Sequence, residues 1–182
     1  VWVHEVDLMA NVQAVDTLVF ERGGEWCMLT SLSGSRAEEC GPSLHAFFAD
    51  SFPSTHWRAH PSNPVLFSAA FGRNAGLLSS ENGLYRVRQR YGFNHYGAGS
   101  SIARVTRLDR EAFCEEEFSC VQPTFMQGLN GTHHLHCDGD VTVVDFSTEE
   151  RMGAGIAVGA HDLGHPRRWA VRQKTLHRAK MA

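Results

Sequence analysis

Alternation of apolar and polar positions marks the middle of the chain. Leu84-Tyr85-Arg86-Val87-Arg88-Gln89 and Ser101-Ile102-Ala103-Arg104-Val105-Thr106-Arg107-Leu108 both follow it, as strands with one buried face do. Strand-like runs also lie at Val15–Phe20, Glu25–Thr30 and Leu44–Ala49, at Ala75–Ser79, and at Thr132–His136 and Val141–Phe146. Three tight turns join paired runs: Gly23-Gly24, Asn82-Gly83 and Asp138-Gly139. These dipeptides tolerate the positive φ of two-residue hairpins. Their second glycines lie 59 and 56 residues apart, so the hairpins recur as a repeat. One small antiparallel sheet per repeat predicts an all-β chain of the propeller kind.

At about 58 residues per blade the chain holds roughly three blades, and a closed ring takes more. The expectation is therefore a partial propeller, part of a longer protein or one that closes against a partner chain. Residues 1–164 are assigned to blades and 165–182 to a basic C-terminal tail or linker. Between the strands, Ser31–Pro42 reads as an exposed loop, and Trp57–Val65 as a connector stiffened by Pro61 and Pro64. Asp109–Glu117 offers a helical turn with an acidic face, Gly153–Gly164 is glycine-rich and loop-like, and Trp169–Lys180 is rich in helix formers. Trp26, Phe47, Phe48, Tyr85 and the valines are expected between the sheets.

The 182 residues are 42% hydrophobic and 20% charged, ordinary for a globular protein. No apolar run reaches the roughly 18 residues of a membrane-spanning helix. Val1–Phe20 contains His4, Glu5, Asp7 and Asp16 and is not a signal peptide. Val1 rather than Met at the start is compatible with removal of a leader or an upstream domain. Six of the 17 bases lie in His165–Ala182, which has no acid, so the rest of the chain is net −9. An acidic body argues against nucleic acid as a partner. The five cysteines, Cys27, Cys40, Cys114, Cys120 and Cys137, show no CxxC spacing. Cys27 and Cys137 read as small core residues. Cys114 and Cys120 are the pair that an oxidising compartment would join, but the simplest reading is a reducing, cytoplasmic one.

The order of several segments resembles a known group. AVDTLVFERGGEWCMLT (Ala14–Thr30) is similar to the D-P-x-x-F … G-x-W-W-L-F blade opening of five-bladed glycoside-hydrolase propellers. WRAHPSNPV, GRNAGLLSSENGLYRVRQRYG, IARVTRLDREAFCEE and THHLHCDGDVTVVDF follow in a narrower pattern. That pattern resembles the N-terminal propeller-like domain of glucosamine inositolphosphorylceramide transferases and related bacterial proteins. The resemblance covers about Val15 to Asp145. It implies a five-bladed propeller, a setting in glycan or glycolipid assembly, and a transferase domain or partner chain that carries the chemistry. Thr17 departs from the proline of the glycosidase pattern and Cys27 from its second aromatic. Where such hydrolases have Glu-Ala-Pro, this chain has Arg73-Asn74-Ala75-Gly76, so their catalytic acid has no counterpart.

Candidate chemistry gathers at a few residues. Asp16 heads an inner strand, and Asp145 is the other carboxylate within a strand core. Glycosidases need two carboxylates flanking the scissile bond; the alternative for Asp16 is a structural role, bonding backbone amides at a blade opening, and Asp145 lies one repeat beyond where the acid is expected. Arg86, Arg88 and Arg90 share one face by period-two spacing. With Arg73 they form a candidate anion site for phosphate or carboxylate, the alternative being a solvated strand face. His133, His134 and His136 invite a metal, but no third ligand is evident at a supportive spacing, and His133 is instead a candidate sugar contact. His60 and Asn63 are candidates for locking the connector through side-chain to backbone bonds. The candidate ligand-binding set is thus Asp16, Arg73, Arg86, Arg88, His133 and Asp145, with no metal and no cofactor. The leading reading is a non-hydrolytic domain binding a carbohydrate or sugar phosphate in support of a transferase. The alternatives are a glycoside hydrolase using Asp16 with an unidentified acid, and a ligand-free scaffold closing against a partner.

Overall fold

A computed structural model describes residues 1–33, 43–92, 95–138, 141–148, 154–160 and 169–172. Most of the expected loop at Ser31–Pro42 and of the basic tail lies outside the described residues. Every regular element described is a strand.

The first sheet contains β1 (Gln13–Arg22), β2 (Glu25–Ser33), β3 (Ser43–Ala49) and β4 (Arg58–Ala59) in that order, with β5 (Leu66–Phe67) also paired to β3. The second runs β6 (Asn74–Ser80), β7 (Gly83–Gly92), β8 (His95–Leu108) and β9 (Phe113–Val121). The third comprises β10 (Leu129–Gly131), β11 (Leu135–Asp138), β12 (Val141–Thr148), β13 (Ala154–Ala160) and β14 (Trp169–Arg172). Its order is β10-β12-β13-β14, with β11 also paired to β12.

The Gly23-Gly24 and Asn82-Gly83 turns each lie between strands that pair, β1 with β2 and β6 with β7, while Gly139 of the third turn lies outside the described residues. Gly23 and Gly24 have φ of 64° and 79° and close β1 onto β2, where Arg22 faces Glu25. Three expectations are corrected. Asp109–Glu117 is no helical turn, because Phe113–Val121 continues the sheet as β9. Gly153–Gly164 is not all loop, since Ala154–Ala160 pairs along its whole length with β12. Trp169–Arg172, expected among helix formers, is a strand against β13. Backbone pairing with a strand already in place outweighs weak local preference in each case.

The chain divides into two compact units. One comprises Val1–Asn74 and Val105–Glu115, the other Ala75–Arg104 and Glu116–Ala182. In the first, Cys27, Met28, Leu29, Leu44, Phe47 and Phe48 are buried. Trp26 is only half-buried and stacks on Phe52 with ring centroids 4.9 Å apart. In the second, Ala75, Val87, Leu135 and Val144 form the core, with Leu78, Ile102, Val121 and Phe125 against it. Tyr85 lies at its margin, half-buried beside Phe118, so it is not the interlayer residue that its hydrophobicity suggested. Val15 and Val141 are exposed, unlike Val87, Val105 and Val144. Cys27 is buried as expected, whereas Cys137 is half-buried, and Cys114 and Cys120 are exposed free thiols.

The connector is held as its side chains suggested. Asn63 Oδ1 accepts from the Ala46 amide and Asn63 Nδ2 donates to the Ala46 carbonyl, both at 2.8 Å. The His60 amide reaches the same carbonyl at 2.9 Å, and His60 Nδ1 accepts from the Ser62 amide at 3.0 Å. One amide side chain thus substitutes for a strand partner of β3.

Candidate functional site

Asp16 sits where β1 breaks step with β2. The register shifts between Val15 and Leu18, and Asp16 adopts φ 54°, a left-handed conformation that Asp tolerates better than most residues. The bulge is pinned from two directions. Asn74, buried, donates through Nδ2 to the Asp16 carbonyl at 2.7 Å and to the Leu29 carbonyl at 3.0 Å. Thr30 bonds the Thr17 hydroxyl at 2.7 Å and donates to the Val15 carbonyl at 3.3 Å. Arg73 then donates through Nε to Asp16 Oδ2 at 2.5 Å. The two side chains are 22% and 23% exposed, so the pair is neither sequestered nor fully solvated. A carboxylate and a guanidinium side by side offer acceptors and forked donors together.

The arginines of β7 are placed differently from a solvated row. Arg86 is fully buried, Arg88 nearly so, and Arg90 is exposed. Across the ladder they face Ala103, Ser101 and Gly99, small residues that leave room for long side chains above them. Arg88 Nε donates to Ser101 Oγ at 2.8 Å and its Nη2 to Glu117 Oε2 at 2.6 Å. Glu117 is 60% exposed. Burial rather than solvation is the structural state of Arg86 and Arg88.

Asp145, on β12, gathers a third set. Its Oδ1 accepts from the backbone amides of His133 and His134 at 2.9 and 2.8 Å, and from the Thr132 hydroxyl at 3.5 Å. Its Oδ2 pairs with His133 Nδ1. His134 and His136 are exposed. Among the described residues no group of three His, Cys, Asp or Glu is arranged to hold a metal ion.

The structure therefore brings together Asp16 with Arg73 in the first unit. In the second it brings together His133 with Asp145, and Arg86 with Arg88 along one strand. Sequence reasoning missed Asn74, Glu117 and Thr132 as supports. Asn74 follows Arg73 directly and Glu117 closes an acidic run, but neither has a spacing that names its partner.

Three antiparallel sheets, hairpin-built and about fifty to sixty residues apart, define an all-β, partial five-bladed β-propeller of the glycosidase type. Solved structures carry the same fold. An inulosucrase from Halalkalicoccus jeotgali, bound to kestose, is similar with a TM-score of 0.56 at 13% identity, over 94% of this chain and 55% of that one. An endo-arabinase from Bacteroides thetaiotaomicron gives 0.53 at 12% identity, over 88% and 61%. An arabinanase from Bacillus subtilis gives 0.51 at 11%, over 88% and 56%. The chain thus spans little more than half the length of these enzymes. No protein-family model matches it, and no curated protein matches it. The likeness is to glycosidase-type propellers and extends to fold, not to the transferase-associated domain that the motifs resemble.

Proposed function

We propose that this chain is a carbohydrate-binding domain that holds a glycan, or a sugar bearing an anionic group, without hydrolysing it, and that it supports a transferase in glycan or glycolipid assembly. The observation that carries the reading is the Asp16–Arg73 pair, 2.5 Å apart. Glycoside hydrolysis needs a second carboxyl group to protonate or activate across the bond. Here the partner of Asp16 is an arginine, at the position where the hydrolase pattern has its glutamate. A guanidinium cannot serve as a general acid at ordinary pH, but beside a carboxylate it suits a polyol. Its fork donates to hydroxyl, phosphate or carboxylate oxygens, and the carboxylate accepts from hydroxyls. Support for a glycan comes from neighbours in fold that act on them: the inulosucrase was seen with kestose, and the others are arabinanases.

Isothermal titration with kestose and arabinotriose tests the proposal. Binding is expected for at least one. The Arg73→Ala variant is expected to weaken it roughly tenfold or more, as loss of a charge-assisted hydrogen bond does. No release of reducing sugar is expected. Release that disappears in Asp16→Asn would replace this reading with the hydrolase. Absence of binding to both sugars would leave the scaffold.

A further inference from the structure

The bulge that displays Asp16 carries a second polar residue. Val15 pairs with Ser31 and Leu18 with Leu29, so Asp16 and Thr17 together stand opposite Thr30. Thr30 is fully buried, whereas Thr17 is exposed. Their hydroxyl oxygens are 2.7 Å apart, and Thr30 Oγ1 lies 3.3 Å from the Val15 carbonyl oxygen. A carbonyl only accepts, and Thr30 has a single hydroxyl proton. Both contacts are satisfied only when Thr30 donates to Val15 and Thr17 donates to Thr30. The Thr17 proton is thereby committed inward, and its oxygen keeps acceptor capacity. That hydroxyl makes no other hydrogen bond among the described residues. The segment that brings Arg73 is anchored on both sides. Ser31, buried, donates through Oγ to the Gly72 carbonyl at 2.9 Å, and Asn74 holds the Asp16 and Leu29 carbonyls. Proline stands at the place of Thr17 in the glycosidase pattern, and proline has no hydroxyl.

We infer that Thr17 is a hydroxyl-recognition residue of the Asp16–Arg73 site, accepting through Oγ1 from a hydroxyl of the bound sugar, and that Thr30 is its positioning residue. The inference rests on the carbohydrate reading above and specifies what that site recognises. Arg73 supplies donors, which suit an anionic or a neutral oxygen alike. Thr17 has its proton spent on Thr30 and none to give outward. A phosphate or carboxylate oxygen gains nothing from it, and a neutral hydroxyl does. A sugar hydroxyl also extends the head-to-tail series from Thr17 through Thr30 to the Val15 carbonyl, in which each bond polarises the next.

Isothermal titration of kestose and arabinotriose into the full chain, with variants checked for folding by circular dichroism, separates contact from support. Thr17→Val, nearly the same shape without the hydroxyl, should weaken binding roughly 2- to 10-fold, the range of one neutral hydrogen bond. Thr17→Ala takes its place if Thr17→Val does not fold. Thr17→Ser keeps the hydroxyl and should bind as the wild type does. Thr30→Val breaks the same bond between the two threonines but leaves the Thr17 hydroxyl in place, and it should weaken binding less than Thr17→Val. A loss in Thr30→Val as large as in Thr17→Val overturns the inference, because the bond alone then accounts for both. So does unchanged affinity in folded Thr17→Val while the wild type binds sugar and Arg73→Ala weakens it, an outcome that leaves the carbohydrate reading standing. A wild type that binds neither sugar sinks both.

Discussion

Gly76→Ala is the sharpest mechanical test of the second unit. Gly76 lies in β6 at φ 137°, and a Cβ there would sit 1.9 Å from the Leu135 carbonyl oxygen and 2.9 Å from its carbon. The obstacle is backbone, in a residue that belongs to the core with Ala75, Val87 and Val144. No rotamer change relieves it, so β6 and β11 must separate. Two costs add: about 1–3 kcal/mol for a side chain at that φ, and about 1–3 kcal/mol for overpacking a filled core. Against the roughly 5–15 kcal/mol that stabilises a typical protein, a loss of about 2–6 kcal/mol is severe. Gly83→Ala is the matched control. Its φ is 131°, but its Cβ would meet only the Arg104 guanidinium, Nε at 3.6 Å and Nη2 at 4.0 Å, ordinary contacts with a flexible side chain. It keeps the dihedral cost and omits the clash. Urea unfolding followed by tryptophan fluorescence and far-ultraviolet circular dichroism should order the midpoints wild type, Gly83→Ala, Gly76→Ala, with about 1–3 kcal/mol between the two variants. Failure of Gly76→Ala to accumulate as folded protein where Gly83→Ala does so gives the same order. A Gly76→Ala midpoint at or above that of Gly83→Ala refutes the close approach of β6 to Leu135.

Asn63→Ala should lower the melting temperature by several degrees. It removes both bonds to Ala46. The Ala46 carbonyl keeps the His60 amide, but its own buried amide loses its acceptor, at about 1–3 kcal/mol; an unchanged melting temperature would show that the connector is held some other way. Burial, reinforced by the nearby Glu25 carboxylate, pushes the Cys27 thiol up to about 11 from 9.0. The folded state then binds more protons than the unfolded state between those values. Stability is full below pH 9 and falls as pH rises towards 11. Unfolding midpoints at pH 8, 9 and 10 should decline more steeply in wild type than in Cys27→Ala, and parallel declines would contradict the burial. Thiol labelling at pH 8 should reach Cys114 and Cys120, which are exposed, well before Cys27.

Local order was legible where turn chemistry and period-two alternation agreed. Gly23-Gly24 sets two-residue hairpin geometry without help from the rest of the chain, and β8 buries Ala103 and Val105 while exposing Arg104 and Thr106, as its alternation announces. Strands that lack a local signal were missed. Ala154–Ala160 carries glycines and little β preference, yet it pairs with β12 residue by residue, because an edge with unmet amides and carbonyls recruits whatever segment can reach it.

The candidate residues divide in the same way. Sequence picked out Asp16, Arg73, Arg86, Arg88, His133 and Asp145 as chemically eligible, and the equal spacing of the turns settled that hairpin sheets would repeat. Both follow from side-chain type and from dihedral limits acting over a few residues. Tertiary structure alone decided what each charge faces. Arg73 meets Asp16 from 57 residues away, Arg88 meets Glu117 over 29, and Asp145 meets His133 over 12. Small residues on the strand beside β7 bury two arginines that alternation alone would leave in water. Such pairings depend on which strands lie side by side and in what register, and that is set by packing the whole sheet at once rather than by any short stretch of chain.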